Sequence, residues 1–468
     1  MSKNDKQELP VAVLGAGPVG LAAAAHLIER GLTPLVLEAG ATVGASLATY
    51  RHVRLFSPWQ YNLDKAARRL LQGGGWKAPA GDALPTAGEL LDEYLLPLAA
   101  TPEMAGNLRL GHRVTAITRA GFDKVTTKGR DGVPFLIRAD TADGPRQYLA
   151  GAVIDATGTW SQPNPLGADG IPALGEAGLA ARIDYGMPDV LGGARERFAG
   201  RRVLVAGAGH SAAGTLLALA QLAQDHPGTS IVWATRGSQL ARVFGGGEAD
   251  GLQARGQLGM RLRALRDSGG LELHQHFRIQ ELVAVDGRIR VTGERIDGVT
   301  PVIDGIDRIV CAAGARPDLA LTRELRVRHD PWLESTDALA PLIDPNEHSC
   351  GTVRPHGHRE LAHPEPGYYA VGAKSYGRAP NFLLATGYEQ VRSVVAALAG
   401  DMVAADDVQL EIPETGVCNT RRAYEDTANG PASCCNVPAT TAASCCVPAP
   451  SSAGACGCSK SAQLSCCA

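Results

Sequence analysis

No cysteine precedes Cys311 in this chain of 468 residues, and nine of its eleven cysteines lie from Cys418 onward. A secreted disulfide scaffold spreads its cysteines through the core, so this distribution excludes one and points to thiols kept reduced. Long apolar runs are also missing: a stretch such as Leu216–Ala220 is far too short for a bilayer, and the opening Met1–Glu8 is polar. The formal net charge is only -3, and basic residues gather in no more than pairs such as Arg68-Arg69 and Arg201-Arg202, so nothing indicates a nucleic-acid or membrane partner. These absences leave a soluble, cytoplasmic protein as the expectation. The length allows two or three domains.

What is present, and organises the rest, is Val11-Ala-Val-Leu-Gly-Ala-Gly-Pro-Val-Gly20, an apolar run entering a GxGxxG turn and continuing into the helix-like Leu21–Ile28. Gly15 permits the tight turn, Gly17 lets backbone approach a pyrophosphate, and Gly20 lets the helix pack on the strand with its N-terminus toward the anion. A second apolar strand, Thr33–Glu38, ends in an acid about 20 residues after the first glycine, where ribose hydroxyls are held. Glu38 is therefore expected on a ribose.

The plan repeats. Arg201–Gly214 is another strand, glycine turn and helix, with Gly207, Gly209 and Ala212 in the three positions. The next strand, Ser230–Arg236, ends in Thr-Arg instead of an acid, and a guanidinium suits a 2′-phosphate, so NADPH is expected in this second unit. Each unit also carries short strands with turns, from Val114 in the first and over Leu282–Val291 in the second, predicting antiparallel meanders. Each exits through a small-residue strand, Ala152–Gly158 and Arg308–Gly314. The predicted class is α/β, with two Rossmann-like three-layer dinucleotide-binding domains bearing antiparallel insertions, followed by a disordered Cys-rich tail. The expected boundaries are 1–180 for the first part of the first domain, 181–329 for the second domain, 330–412 for a return to the first, and 413–468 for the tail.

Other segments bear on chemistry. Tyr50–Tyr61 is rich in aromatics and Arg; were the fold a flavin-binding one, Trp59 or Tyr61 would stack on the flavin ring, and otherwise these aromatics pack between domains. Pro85–Leu96 reads as a capped amphipathic helix with Thr86 at the cap and Glu89 three residues on. His348, Cys350, His356 and His358 crowd one loop, where they either gather at a substrate site or are an ordinary polar loop. A last strand at Gly367–Gly372 precedes an apolar helix from about Phe382 to Leu398. The tail repeats its cysteines in close clusters: Cys434-Cys435, Cys445-Cys446, Cys456 with Cys458, and Cys466-Cys467, after a single Cys418. Adjacent cysteines bridge each other poorly, whereas neighbouring thiolates suit a soft, thiophilic metal or metalloid. Cys350 and these nine are the candidate ligands.

Taken together, the two glycine turns, the Ala-Thr-Gly exit and the Thr-Arg strand end resemble the two-dinucleotide-binding-domain flavoproteins. That resemblance implies FAD on Gly15, Gly17, Pro18, Gly20 and Glu38, with Trp59, Thr157, Gly158 and Gly372. It implies NADPH on Gly207, Gly209, His210, Ser211 and Arg236. The disulfide reductases of this fold carry a cysteine pair after the first unit or inside the NADPH domain, and this chain has none there; their last-strand Gly-Asp is replaced by Gly372-Ala-Lys374. Pro85–Glu89, Tyr94 and Ala156–Pro163 look like the flavin monooxygenases, although Asp189 stands in the region where their fingerprint ends in His. Leu55–Trp59, Gly186–Leu191 and Tyr376–Asn381 are most similar to flavin monooxygenases encoded with arsenic-resistance functions. The resemblance implies oxidation of a trivalent arsenical, methylarsenite or arsenite, or of antimonite, with dioxygen and NADPH. Two alternatives stay open: flavin-dependent reduction of a soft ion such as mercuric ion, and plain sequestration by the thiols. The sequence assigns no catalytic acid or base.

Overall fold

The structure, a computed structural model, describes residues 9–410 except 239, 251, 295–297 and 349–352 and the side chains of 242 and 249. Cys350 and the cysteines from Cys418 to Cys467 thus lie outside the described residues. So does the expected disordered tail.

The first half builds strands β1 (Val11–Leu14), β2 (Pro34–Leu37), β3 (Leu108–Arg109), β4 (Arg113–Arg119), β5 (Phe135–Thr141), β6 (Gly144–Ala150) and β7 (Ala152–Asp155). The second builds β8 (Ile183–Tyr185), β9 (Arg202–Ala206), β10 (Ser230–Ala234), β11 (Glu272–His274), β12 (Arg278–Val285), β13 (Arg288–Glu294), β14 (Val302–Ile306) and β15 (Arg308–Cys311). A final strand, β16 (Tyr368–Ala370), returns to the first sheet, whose order is β16-β7-β1-β2-β3. The second sheet runs β11-β10-β9-β15-β8, and both sheets are parallel throughout. Strands β1, β7 and β9 are apolar along nearly their whole length because helices and meanders cover both faces. The expected meanders are the antiparallel sheets β4-β5-β6 and β12-β13-β14.

Register brings the chemistry to one edge of each sheet. Leu14 pairs with Leu37 on one side and Asp155 on the other, so Gly15, Glu38 and Ala156 emerge side by side. In the second sheet Ala206 pairs with Ala234 and Cys311, placing Gly207, Thr235 and Ala312 together. Helices α1 (Pro18–Glu29), α2 (His210–Asp225), α3 (Gln253–Asp267) and α4 (Leu384–Leu398) pack beside these sheets. Pro18 is the first residue of α1, where a missing N–H costs nothing.

Two features tie distant segments together. Glu365, fully buried, accepts hydrogen bonds from Arg119 Nε (2.7 Å), Arg130 Nη1 (2.7 Å) and the Arg326 N–H (2.9 Å), while the Arg119 guanidinium lies 3.7 Å over the Phe135 ring. The first meander is thereby fixed to the returning chain. The two crossings between sheets, one after β7 and one after β15, are themselves joined: the Asn164 N–H donates to the Gly314 carbonyl and the Arg316 N–H to the Gln162 carbonyl, both at 2.9 Å.

The expected helix over Pro85–Leu96 is correct at its start and interrupted later. Thr86 Oγ1 accepts the Glu89 N–H at 3.0 Å and Glu89 returns a bond to the Thr86 N–H at 2.6 Å. After Leu90 the helix widens into a π turn over Leu91–Leu95. Pro97 has no N–H to offer the Glu93 carbonyl, which instead accepts Trp76 Nε1 at 2.8 Å. Replacing Thr86 with Ala should cost about 1 kcal/mol of stability, the usual worth of such a cap, read as a lower denaturation midpoint at unchanged slope.

Candidate functional site

One cavity of about 1760 Å³ runs from the first glycine turn to the second and is bordered by both. On the first side Gly15 adopts φ +90°, and a Cβ there would sit 2.9 Å from the Ala156 carbonyl oxygen. Gly17 borders the cavity, and a Cβ on it would meet no protein atom within 4 Å, so its backbone lies open to the cavity. Gly20 lies behind the turn, where a Cβ would collide with the Gly15 carbonyl oxygen. Pro18 also borders the cavity.

Glu38 reaches the cavity but is already engaged: its Oε2 accepts the Ala16 N–H at 2.6 Å and its Oε1 the Gly40 N–H at 2.7 Å. These bonds fix the carboxylate at the strand end and leave each oxygen a further lone pair for a hydroxyl. Thr157, Gly158 and Gly372 complete this side; Gly372 holds φ +65° and donates its N–H to Gln390 Oε1 at 2.7 Å.

Beneath Thr157 lies Lys374, two residues after Gly372. Lys374 Nζ donates to Thr157 Oγ1 (3.0 Å) and the Asp318 carbonyl (2.6 Å), and sits 3.2 Å from Asp155 Oδ2. The Thr157 hydroxyl donates to Asp155 Oδ1 at 2.7 Å and the Tyr368 hydroxyl to Oδ2 at 3.0 Å. Burial pushes Asp155 up, but Lys374 and the Thr157 donors outweigh it and hold the carboxyl below its usual range. Lys374 therefore points under the wall and offers the cavity no charge.

On the second side Gly207, with φ +137°, presses against the Ala312 carbonyl, and Gly209, His210 and Ser211 border the cavity at the start of α2. Arg236 borders it too, exposed, with no carboxylate partner among the described residues and only a long 3.4 Å contact to the Ala168 carbonyl.

Several expectations need correction. Trp59 is 4 % exposed in the core and does not border the cavity; the 3-10 turn that carries it points the indole inward, which is the packing alternative. Tyr61 does not border it either. The aromatics that border the cavity include Tyr50, Phe56, Trp160, Phe277 and Phe382, with Tyr50 and Trp160 at 4.6 Å between ring centroids and Phe56 set edge-on to His210 at 5.3 Å. Burial pushes the Tyr50 phenol up to about 12. The histidine loop does not gather. Only His348 borders the cavity; His356 is bonded to Gln390 at 2.9 Å, and His358 to Asp406 at 2.9 Å. Asp189 closes a turn, accepting the Gly192 and Gly193 N–H groups at 3.1 and 2.9 Å. Cys311 is buried, its thiol pushed up to about 12 by that burial, and among the described residues no cysteine borders the cavity.

Residues 13–77 match the family model of the NAD(P)-binding Rossmann-like domain. The bacillithiol disulfide reductase of Bacillus cereus superposes with a TM-score of 0.62 at 17% identity, covering 84% of this chain and 99% of that one. The ornithine N-hydroxylase of Kutzneria sp. 744, solved with reduced FAD, NADP+ and L-ornithine, gives 0.54 at 17%, covering 85% and 98%. A flavin monooxygenase from Stenotrophomonas maltophilia gives 0.52 at 22%, covering 84% and 98%. The chain has the two-domain flavoprotein fold. Identities this low establish the fold alone, and it is shared by disulfide reductases and monooxygenases alike. No curated protein matches the sequence. No helix among the described residues is long and apolar enough to cross a membrane.

Proposed function

We propose that the protein is an NADPH- and FAD-dependent oxidoreductase of the monooxygenase type, acting on a trivalent arsenical such as methylarsenite, with its C-terminal cysteine clusters capturing the substrate. The observation that carries the cofactor part is the single cavity joining two glycine turns, one followed by an acid, Glu38, and the other by Arg236. Gly15, Gly17, Pro18, Glu38, Thr157, Gly158 and Gly372 would hold FAD, with Gly20 keeping α1 close behind them; Gly207, Gly209, His210, Ser211 and Arg236 would hold NADPH. Bound FAD supplies the two-electron link between NADPH and dioxygen.

The overall reaction balances as methylarsenite, NADPH, a proton and dioxygen giving methylarsenate, NADP+ and water. Arsenic(III) gives up two electrons and gains one oxygen atom; NADPH supplies the two that reduce the other atom to water. The protein's share is to hold the reactants together and keep bulk water out, and the apolar wall of Tyr50, Phe56, Trp160 and Met187 serves the second task. No cysteine precedes Cys311, so the chain lacks the redox cysteine pair that disulfide reductases of this fold carry after the first unit or inside the NADPH domain, and this favours oxygen transfer over dithiol-based reduction.

The test is NADPH consumption by the flavin-loaded protein in air and under strict anaerobiosis, with and without methylarsenite, alongside arsenic speciation. Oxygen-dependent, substrate-stimulated consumption with a pentavalent product is expected. Anaerobic turnover with mercuric ion, or no arsenical stimulation, would overturn the proposal. Truncation at about Glu414 should preserve kcat and raise the apparent KM for the arsenical roughly tenfold or more, because a tethered trap raises the local substrate concentration. Loss of all arsenic protection together with unchanged kinetics would mark the tail as a sequestering module.

A further inference from the structure

The second glycine turn faces a wall that the strand-end rule does not address. Helix α3 is pressed onto the chain that follows Arg236: a Cβ on Gly256 would collide with the Gly247 carbonyl oxygen, and one on Gly259 with that of Phe244. Its first basic residue is spent inside the protein. Arg255, 4 % exposed, pairs with buried Asp250 through Nη2–Oδ1 at 2.7 Å and Nε–Oδ2 at 2.9 Å. The helix cannot rotate without losing these contacts, and its remaining face, Ala254, Gln257, Leu258 and Arg261, borders the cavity at helical spacing.

Arg261 is exposed and has no acidic partner among the described residues. Arg236 is in the same condition. Among the described residues, the carboxylates bordering the cavity are Glu38, which belongs to the first glycine turn, and Asp318, whose Oδ1 accepts the Ala320 N–H at 2.9 Å. Two guanidiniums without counter-charge thus face the cavity from separate elements of the nucleotide-binding half. Side chains on a helix lean toward its N-terminus, a tendency that favours Arg261 reaching back over the turn that carries Gln257. A dianion with three equivalent oxygens suits such a pair, because each guanidinium can bind it through two parallel N–H donors.

We propose that Arg261 is a second recognition residue for the 2′-phosphate of NADPH, closing on it from α3 while Arg236 closes from the end of β10. The inference rests on the assignment of NADPH to this half and is independent of what the enzyme oxidises.

The test is calorimetric titration of the full-length, flavin-loaded protein with 2′,5′-ADP and with 5′-AMP, ligands that differ only in the phosphate concerned. The wild type should prefer 2′,5′-ADP strongly. Arg261→Gln should weaken 2′,5′-ADP binding about tenfold or more and leave 5′-AMP within twofold, corresponding to loss of one charge-assisted contact. Arg261→Lys should restore part of the loss, and Arg263→Gln, at a side chain stacked 5.1 Å over Phe244, should change neither ligand. An unchanged preference in Arg261→Gln, or equal weakening of both ligands, overturns the role of Arg261 and leaves NADPH in place. A wild type without preference for 2′,5′-ADP overturns the NADPH assignment itself.

Discussion

Replacing Glu365 with Ala should destabilise the folded protein by about 3–5 kcal/mol, because it strands two guanidiniums that the fold keeps out of water. Arg130 is fully buried and Arg119 nearly so, each directs one nitrogen at this carboxylate, and their remaining donors go to backbone carbonyls, so Glu365 is the only carboxylate paired with them among the described residues. Stability measured by denaturant should fall through the midpoint, with the slope unchanged. The pH dependence has a definite sign. Burial pushes Glu365 up, but the Arg326 N–H and the two guanidiniums outweigh it, so its carboxyl titrates below the usual range. A group depressed on folding contributes fully above its unfolded pKa of about 4.3, and the contribution drains away as pH falls through the folded value. The wild type should therefore lose more stability than the Ala variant between neutral pH and acid. Parallel curves for the two proteins would show that the ion pairs contribute nothing.

The second large effect is expected at Gly20. A valine there drives a branched side chain into the Gly15 carbonyl, and α1 must retreat from β1 by an ångström or more. The N-terminus of α1 then no longer meets a pyrophosphate seated on Gly15 and Gly17. FAD affinity should fall on the order of 100-fold or more, equivalent to roughly 2.7 kcal/mol, and the protein should purify with little yellow flavin. Circular dichroism of the apoprotein separates a lost cofactor from a lost fold. A fully flavin-loaded Gly20→Val protein would falsify the assignment of this turn to the dinucleotide.

The parts of this molecule that were legible in its sequence are those made by neighbours along the chain. A glycine turn, the helix behind it and the acid one strand later fall within residues 15–38, and steric rules act on each directly. The meanders were legible for the same reason. What the sequence hid is made by partners far apart: Arg119 and Glu365 are separated by 246 residues, and Lys374 meets Thr157 across 217. An aromatic-rich segment announces apolar contact without saying on which side, so the sequence leaves Trp59 and Tyr61 open between flavin and core, while the structure puts Tyr50 and Phe56 at the cavity wall. Arg261 left no mark at all, since one more arginine on an arginine-rich helix is informative only once the others are seen to be engaged.

The ribbon that joins the two crossings has a mechanical meaning. Two separate tethers let one half of a molecule twist, slide and splay against the other. Hydrogen-bonded side by side through Gln162, Asn164, Gly314 and Arg316, they act as a strap, pliant across its thin direction and stiff along its width. Any swing of the half that bears the second glycine turn would thereby be confined to one soft axis, and would leave that turn its alignment with the first.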